Sequence, residues 1–141
     1  MKYVVLDADV MVAGFAGKAG AAHHLLRAVA EGRLVPLTST PLLLDYEFAL
    51  KQAEARLAHG LSREEIDSAL AAFASAAAPV DVTFLWRPQM NDPADELVLE
   101  AAVNGNAEAI VSRRAQHFAL AGQMFGFETL TPQDFMARIN A

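Results

Sequence analysis

The stretch KYVVLDADVMVAG, residues 2–14, determines the fold prediction for this chain. Residues 2–6 form a short apolar and β-branched run, which is typical of a strand buried in the centre of a sheet. Asp7 ends this run, and Asp9 follows two residues later. An acid directly after a buried strand lies at the carboxyl edge of a parallel sheet, where open α/β folds bind ligands. The stretch therefore predicts a central strand with an acidic site at its end.

Strand and helix signals alternate along the rest of the chain. Short apolar runs predict further strands at residues 34–37, 80–85, 109–112 and 127–130. Capping residues and composition predict helices over residues 21–30 after a loop at 14–20, from Thr40-Pro41 to about 58, from Ser62 to before Pro79, from Asp92-Pro93 to about 103, and from Thr131-Pro132 onward. Pro36 indicates an edge position or a bulge in the second strand.

This alternation predicts a single α/β domain over residues 1–141, a three-layer α/β/α sandwich with a central parallel sheet. Parallel neighbours need crossover connections, and helices in those connections cover both faces of the sheet. The sequence shows no repeat, linker or low-complexity segment that would divide the chain.

Composition narrows the possible functions. The sequence has no apolar run near the ~18 residues of a membrane span and no export signal, so we expect a cytoplasmic protein that is not in a membrane. It has no cysteine, so any metal must bind oxygen or imidazole. The net charge of −6 argues against a broadly basic surface for nucleic acid. An acidic protein that cuts phosphodiesters would need metal ions to offset its own carboxylates.

Two further segments supply acids. Asp45 and Glu47 lie in the apolar helix segment PLLLDYEFAL, and residues two apart on a helix diverge by about 200°, so only one can face a site. We place Asp45 ahead, although both could be ordinary acids favoured by the helix dipole. Asp92 and Asp95 open another helix, where capping is an alternative explanation for each.

Several separated acids at one sheet edge suit Mg²⁺ or Mn²⁺, which prefer oxygen ligands. The four histidines lack the spacing of a zinc site. Three polar residues that follow the predicted strand at 109–112 could contact a phosphate, although such residues are more often solvated. They are Ser112, Arg113 and Arg114.

Taken in order, these segments resemble the PIN domain, and within it the VapC-like toxins of prokaryotic toxin–antitoxin pairs. VVLDADVMVAG is similar to the family's opening, with Asp7 as the first acid. STPLLLDYEFAL is similar to the second motif, with Asp45 as its acid. NDPADELVLEAAVNGNAEAIVS is similar to the third region, with Asp95 in the acidic position. The resemblance covers nearly all of the chain.

The resemblance implies an Mg²⁺- or Mn²⁺-dependent endoribonuclease, the toxin of a toxin–antitoxin pair. It implies an RNA substrate, a cognate antitoxin protein as partner and a homodimer. The implied catalytic and metal-binding residues are Asp7, Asp45 and Asp95. Secondary candidates are Asp9, Glu47 and Asp92.

The fourth region departs from the family pattern. Many members have Thr or Ser, any residue, and then Asp or Asn after the strand, followed by a further acid and phenylalanine. This chain has Ser112-Arg113-Arg114 and later His117-Phe118, so arginine takes the fourth polar position. The change weakens a second metal site. Three interpretations stay open: the protein works with one ion and further ligands from the substrate, it uses Asp9 or Asp92 as a ligand instead, or it has lost activity. Arg114 could also neutralise an acid or hold a phosphate.

Two alternative functions follow from the same residues. VVLDADVMV also fits haloacid dehalogenase-like phosphatases, in which Asp7 would be the nucleophile and Asp9 the general acid. Residues that could imitate that family's later motifs are Ser39 or Thr40, Lys51, Asp92 and Asp95. The other alternative is a catalytically impaired PIN-like module that binds RNA or a partner without cutting, and Arg114 motivates it.

Overall fold

The computed structural model describes residues 3–83 and 90–140, and within them the strands form one parallel sheet. Its order is β3-β2-β1-β4-β5, with β1 in the centre as predicted. The strands are β1 Tyr3–Leu6, β2 Val35–Thr38, β3 Ala78–Pro79, β4 Ala109–Val111 and β5 Glu128–Leu130. The predicted α/β class with helices flanking a parallel sheet is confirmed.

Helices connect successive strands of the sheet. They are α1 Ala8–Ala16, α2 Ala21–Ala30, α3 Thr40–Lys51, α4 Ala53–His59, α5 Arg63–Ala76, α6 Pro93–Asn104, α7 Ala119–Phe125 and α8 Pro132–Ile139, with a short 3-10 helix at Ala115–Phe118. Within residues 3–83 and 90–140, no helix is long and apolar enough to cross a membrane.

The two central strands are the most deeply buried part of the sheet. Val4, Val5 and Leu6 in β1 are fully buried, and so is all of β4. Strands covered on both faces have continuous apolar sequences, and this explains why residues 2–6 and 109–112 were identifiable as strands. Because β1 and β4 are neighbours, the residues that follow them meet at one edge of the sheet.

Helix starts were largely predictable from capping residues. Ser62 and Glu65 form the expected reciprocal capping box, with both hydrogen bonds at 3.0–3.1 Å. Asp92 and Thr131 cap α6 and α8 through their side chains. The predicted N-cap of α3, the Thr40 hydroxyl, is wrong by one residue. Ser39, and not the hydroxyl of Thr40, accepts the bond from Leu42 N at 3.2 Å.

The predicted loop at 14–20 is wrong over its first three residues, because α1 begins directly after Asp7 and continues to Ala16. Gly14 is buried inside this helix, where a Cβ would lie 2.4 Å from Leu26 Cδ1. The glycine therefore serves the close approach of α1 to α2. A glycine at this position is typical of a loop, whereas Gly14 lies inside a helix and allows α1 and α2 to pack closely.

Other corrections concern element boundaries. The single helix predicted from Thr40 to about 58 is divided at Gln52, whose ψ of 146° is extended and separates α3 from α4. The strand predicted at 80–85 is wrong at 80–83, since β3 comprises Ala78–Pro79; residues 84–85 lie outside the described residues. β2 lies between β1 and β3, so Pro36 is not on an edge strand. Its missing N–H is tolerated because pairing with β3 begins only at Leu37.

Candidate active site

Four of the predicted acids stand at chain positions that the sheet brings to its carboxyl edge. Asp7 ends β1 and occupies the N-cap position of α1, and Asp9 lies in the first turn of that helix. Asp7 N donates to Val111 O at 2.9 Å, which ties the end of β1 to the end of β4. Asp92 caps α6 and Asp95 lies in its first turn. These acids therefore lie at helix N-termini, where backbone N–H groups favour negative charge.

Asp45 faces the same cleft from α3. The cleft has a volume of about 590 Å³. Its polar lining residues are Asp7, Asp9, Asp45, Gln52, Glu54, Asp92, Asp95 and Arg114. The structure thus brings together five of the six predicted acids around one opening. Glu54 is an additional acid beyond the predicted set, because no residue pattern marks the break at Gln52 that separates α4 from α3.

Tyr46 connects the two elements that carry Asp7 and Asp45. Its side chain is fully buried, and its hydroxyl donates a hydrogen bond to the carbonyl of Leu6. Leu6 directly precedes Asp7, and Tyr46 directly follows Asp45. Pairing of β1 with β2 covers Tyr3 and Val4 and does not reach Leu6. The tyrosine therefore supplies a donor to a buried carbonyl and fixes α3 against the end of β1.

Ser112, the residue after β4, organises the cluster from beneath. It is fully buried, and its hydroxyl donates to Asp7 Oδ2 at 2.7 Å. The Ser112 hydroxyl oxygen in turn accepts a hydrogen bond from Arg114 N at 3.0 Å. Arg113 N donates to Asp9 Oδ1 at 3.2 Å, while the Arg113 side chain is exposed. The turn after β4 thus holds both acids of the first motif through one hydroxyl and one backbone amide.

Arg114 lies over the cluster. Its Nη2 atom is 3.1 Å from Asp7 Oδ2 and 2.9 Å from Asp95 Oδ1. Its Nε atom is 3.6 Å from Asp9 Oδ2. The side chains of Asp7 and Asp95 are each 6% exposed, whereas that of Arg114 is 39% exposed. The guanidinium therefore reaches the buried carboxylates from the solvent side and bridges three acids.

Burial and mutual repulsion act on the protonation of these acids. Burial raises the pKa of Asp9, and the charge of Asp7 raises it further. Burial also raises the pKa of Asp45, with added repulsion from Asp7, Asp92 and Asp95. For Asp95, burial raises the pKa although the hydrogen bond from Arg114 opposes it. The cluster is thus one in which a cation is needed to offset concentrated negative charge.

The donor set suits a hard divalent ion in its chemistry, since all the clustered acids present carboxylate oxygens. As the side chains stand, however, no group of three or more acids or histidines in residues 3–83 and 90–140 is arranged to hold a metal ion. Between Asp7 and Asp95 the positive charge belongs to the Arg114 guanidinium. The carboxylates are therefore suitable metal ligands by their chemistry, and the Arg114 guanidinium occupies the position between Asp7 and Asp95.

Other predicted site residues lie elsewhere. Glu47 points away from the cleft and pairs with Lys51 at 2.8 Å. Lys51 also contacts Asp67 at 2.6 Å and does not line the cleft. His117 was set aside in the sequence, yet its Nδ1 lies 3.3 Å from Arg114 Nη1. In the sequence, His117 follows Arg114 in the fourth region, where the family pattern has a further acid.

Comparison with known proteins gives a family and a fold. A sequence model described as PIN domain matches residues 3–114. A chain from the crystal structure of VapBC2 from Rickettsia felis, bound to a DNA fragment from their promoter, superposes with a TM-score of 0.59. It is 15% identical and the match covers 92% of this chain and 97% of that chain. At this identity the likeness establishes the fold. A comparison with curated proteins found no match.

Proposed function

Because the chain belongs to the PIN domain family, whose members are generally nucleases, we propose that it is a metal-dependent endoribonuclease and the toxin of a toxin–antitoxin pair. The observation that carries the proposal is the convergence of Asp7, Asp45 and Asp95 on one cleft at the carboxyl edge of the sheet. Asp7 follows β1, Asp45 lies in α3 and Asp95 lies in α6, and these positions are distant in sequence. A capping role alone gives no reason for them to meet.

In this proposal Asp7, Asp45 and Asp95 hold Mg²⁺ or Mn²⁺, and Asp9 and Asp92 are secondary ligands. A bound ion of this kind polarises a phosphodiester and lowers the pKa of an attacking water. Ser112 orients Asp7 by donating to its Oδ2 atom, which leaves the other carboxylate oxygen free of that bond. Arg113 and Arg114, with Ser112, are the candidates for contact with the substrate phosphate. Glu47 is a weaker candidate, since it faces Lys51.

Cleavage of a panel of structured RNAs with Mg²⁺, Mn²⁺ or EDTA tests the activity. We expect cleavage by the parent chain only with metal, and a loss of at least roughly a hundredfold in Asp7→Asn and Asp95→Asn. Asp134→Asn is the matched control, because Asp134 is an exposed acid in the first turn of α8, outside the cleft. Equal cleavage by parent and Asp95→Asn, or undiminished cleavage in EDTA, would overturn the proposal.

The toxin assignment has its own test. Induced expression should arrest growth, and the arrest should disappear with Asp7→Asn. The similar structure from Rickettsia felis is VapBC2 bound to a DNA fragment from their promoter, and by analogy we propose a cognate antitoxin encoded beside this gene. Co-expression with the neighbouring gene product should relieve the arrest and yield a purified complex. Arrest that persists with Asp7→Asn would contradict a toxin that acts through this cluster.

We further propose one domain over residues 1–141, a homodimer and a cytoplasmic location. Limited proteolysis that leaves the chain intact would support a single domain. Light scattering coupled to gel filtration should give twice the 15.1 kDa chain mass. Cell fractionation should recover the protein with cytoplasmic markers. A stable monomer at cellular concentration would exclude the dimer.

The position of Arg114 favours a second candidate function, a PIN-like module that binds RNA or a partner without cutting. RNA binding with no cleavage at any metal concentration would support it. The dehalogenase-like alternative needs a lysine near Asp7, but Lys51 pairs with Glu47 and Asp67 outside the cleft. Covalent phosphate on Asp7 after incubation with a phosphomonoester would revive that alternative.

A further inference from the structure

Arg114 contributes the positive charge inside the acid cluster. The described residues that line the cleft include six acids and this one basic side chain. Its Nη2 atom contacts carboxylates from two different elements, Asp7 at the end of β1 and Asp95 in α6. The guanidinium therefore lies between the two most buried acids of the cleft, where an ion shared by them would also lie.

The backbone around Arg114 directs its side chain to this place. Arg114 N donates to the buried Ser112 hydroxyl at 3.0 Å, and that hydroxyl also holds Asp7. Arg114 then precedes the 3-10 helix, whose His117 contacts Nη1 from the other side at 3.3 Å. Because the turn and the 3-10 helix are formed by neighbouring residues, the arginine is presented to the cluster by local structure as well as by ion pairing.

A guanidinium and a divalent ion exclude each other at this position. Mg²⁺ requires its oxygen ligands at about 2.1 Å, whereas Asp7 Oδ2 and Asp95 Oδ1 stand 3.1 and 2.9 Å from one nitrogen of Arg114. The nitrogen fills the space that the ion needs, and its charge repels the ion. The side chain of Arg114 is 39% exposed, so a path toward solvent is open to it.

We propose that Arg114 is an internal competitor of the metal: it occupies the position between Asp7 and Asp95, and a divalent ion binds there only when the arginine side chain moves out. The inference rests on the proposed function in taking this cluster as the metal site. It adds an autoinhibitory contact that sets the metal concentration at which the site fills.

Direct binding of Mn²⁺ to the purified full-length chain tests the competition. Free Mn²⁺ can be followed by its electron paramagnetic resonance signal, so the readout does not depend on cleavage. We expect Arg114→Gln to bind Mn²⁺ at least about tenfold more tightly than the parent, since both the steric block and one repelling charge are removed. Arg33→Gln is the matched control, because it removes the same charge from an exposed arginine that lies outside the cleft and bonds to Asn140. Its affinity should stay within roughly twofold of the parent.

A second variant guards against loss of folding. Arg114→Lys keeps a cation, but a lysine cannot present the planar guanidinium fork that bridges two carboxylates. Its Mn²⁺ affinity should lie between those of the parent and Arg114→Gln. Circular dichroism of each variant establishes that it is folded. Adding Asp95→Asn to Arg114→Gln should abolish the gain, which locates the bound ion at this cluster.

The outcomes separate this inference from the proposed function. Equal or weaker Mn²⁺ binding by folded Arg114→Gln and Arg114→Lys overturns the competition, even if the parent cleaves RNA with metal. Failure of these variants to bind Mn²⁺ at all overturns it as well. A gain in affinity with no RNA cleavage by any variant supports the competition and removes the endoribonuclease proposal.

Discussion

Removing the Tyr46 hydroxyl should weaken both the fold and the site. Tyr46→Phe keeps the buried ring and its edge contact with Phe73, whose centroid lies 5.7 Å away at an interplanar angle of 84°. It removes only the donor to the carbonyl of Leu6, which lies beyond the pairing of β1 with β2. The change therefore leaves packing in place and leaves a buried acceptor without its protein donor.

The expected loss can be worked out from this geometry. Leaving a buried carbonyl unsatisfied costs about 1–3 kcal/mol of unfolding free energy. For a 141-residue chain the unfolding entropy is roughly 0.3 kcal/mol per kelvin near the melting temperature. A loss of about 2 kcal/mol therefore lowers Tm by roughly 7 °C. Because the bond fixes the neighbours of Asp7 and Asp45, the Mn²⁺ affinity should also fall several-fold.

Urea denaturation followed by circular dichroism, and calorimetry in EDTA, measure the stability. Phe73→Leu is the matched control, since it disturbs the same ring contact and keeps the hydroxyl bond. We expect it to cost about 1 kcal/mol without changing Mn²⁺ affinity. If Tyr46→Phe lies within about 0.5 kcal/mol of the parent, the Leu6 carbonyl has another donor and the proposed link between α3 and β1 is refuted.

Three further changes should have measurable effects. Asp45→Asn should raise Tm by about 3 °C at pH 7, which corresponds to a gain of roughly 1 kcal/mol in unfolding free energy after allowance for solvent screening. The same change should lower RNA cleavage. Burial and neighbouring acids raise the pKa of Asp45, so the ionised carboxylate destabilises the folded state. The gain in Tm of Asp45→Asn should therefore vanish below pH 3.8, where the carboxyl is protonated in both the folded and the unfolded chain. A gain in Tm that persists below this pH in thermal melts would contradict this explanation. Ser112→Ala should cost about 1–3 kcal/mol in urea titration, because Asp7 and the amide of Arg114 lose a shared partner. Gly122→Ala should lower Tm in calorimetry, since its Cβ would lie 2.7 Å from the Phe127 carbonyl oxygen; an unchanged Tm would refute the packing argument.

The central part of the fold was predictable because its sequence signals agree with its environment. β1 and β4 are buried on both faces, so their sequences are apolar throughout, and Asp7 marks the point where the apolar run of β1 ends. Asp92 and Thr131 were recognisable because their side chains cap helices through local hydrogen bonds. Local interactions and continuous burial are both visible in a single sequence.

The errors arose where packing between distant residues decides the structure. Gly14 looked like the start of a loop, but its missing side chain admits Leu26 from the next helix. Pro36 looked like an edge residue, but it lies in β2 one residue before Leu37, where the pairing of β2 with β3 begins. In each case the sequence correctly marks an unusual residue, one without a side chain or one without a backbone N–H. The residue that it packs against or pairs beside lies elsewhere in the chain, and a single sequence does not show which residue that is.

Arg114 shows how a departure from a family pattern can be interpreted through charge. The sequence resemblance places an aspartate or an amide at this position, and the loss of such a ligand suggested a weakened metal site. Replacing an aspartate by arginine changes the local charge by two units, which equals the charge of one divalent ion. With Arg114 held between Asp7 and Asp95, the metal-free chain already has the charge that an aspartate-bearing cluster would reach only on binding an ion. Under the proposed competition, the arginine stabilises the acid cluster without an ion and opposes the binding of one, and both effects arise from the same two contacts.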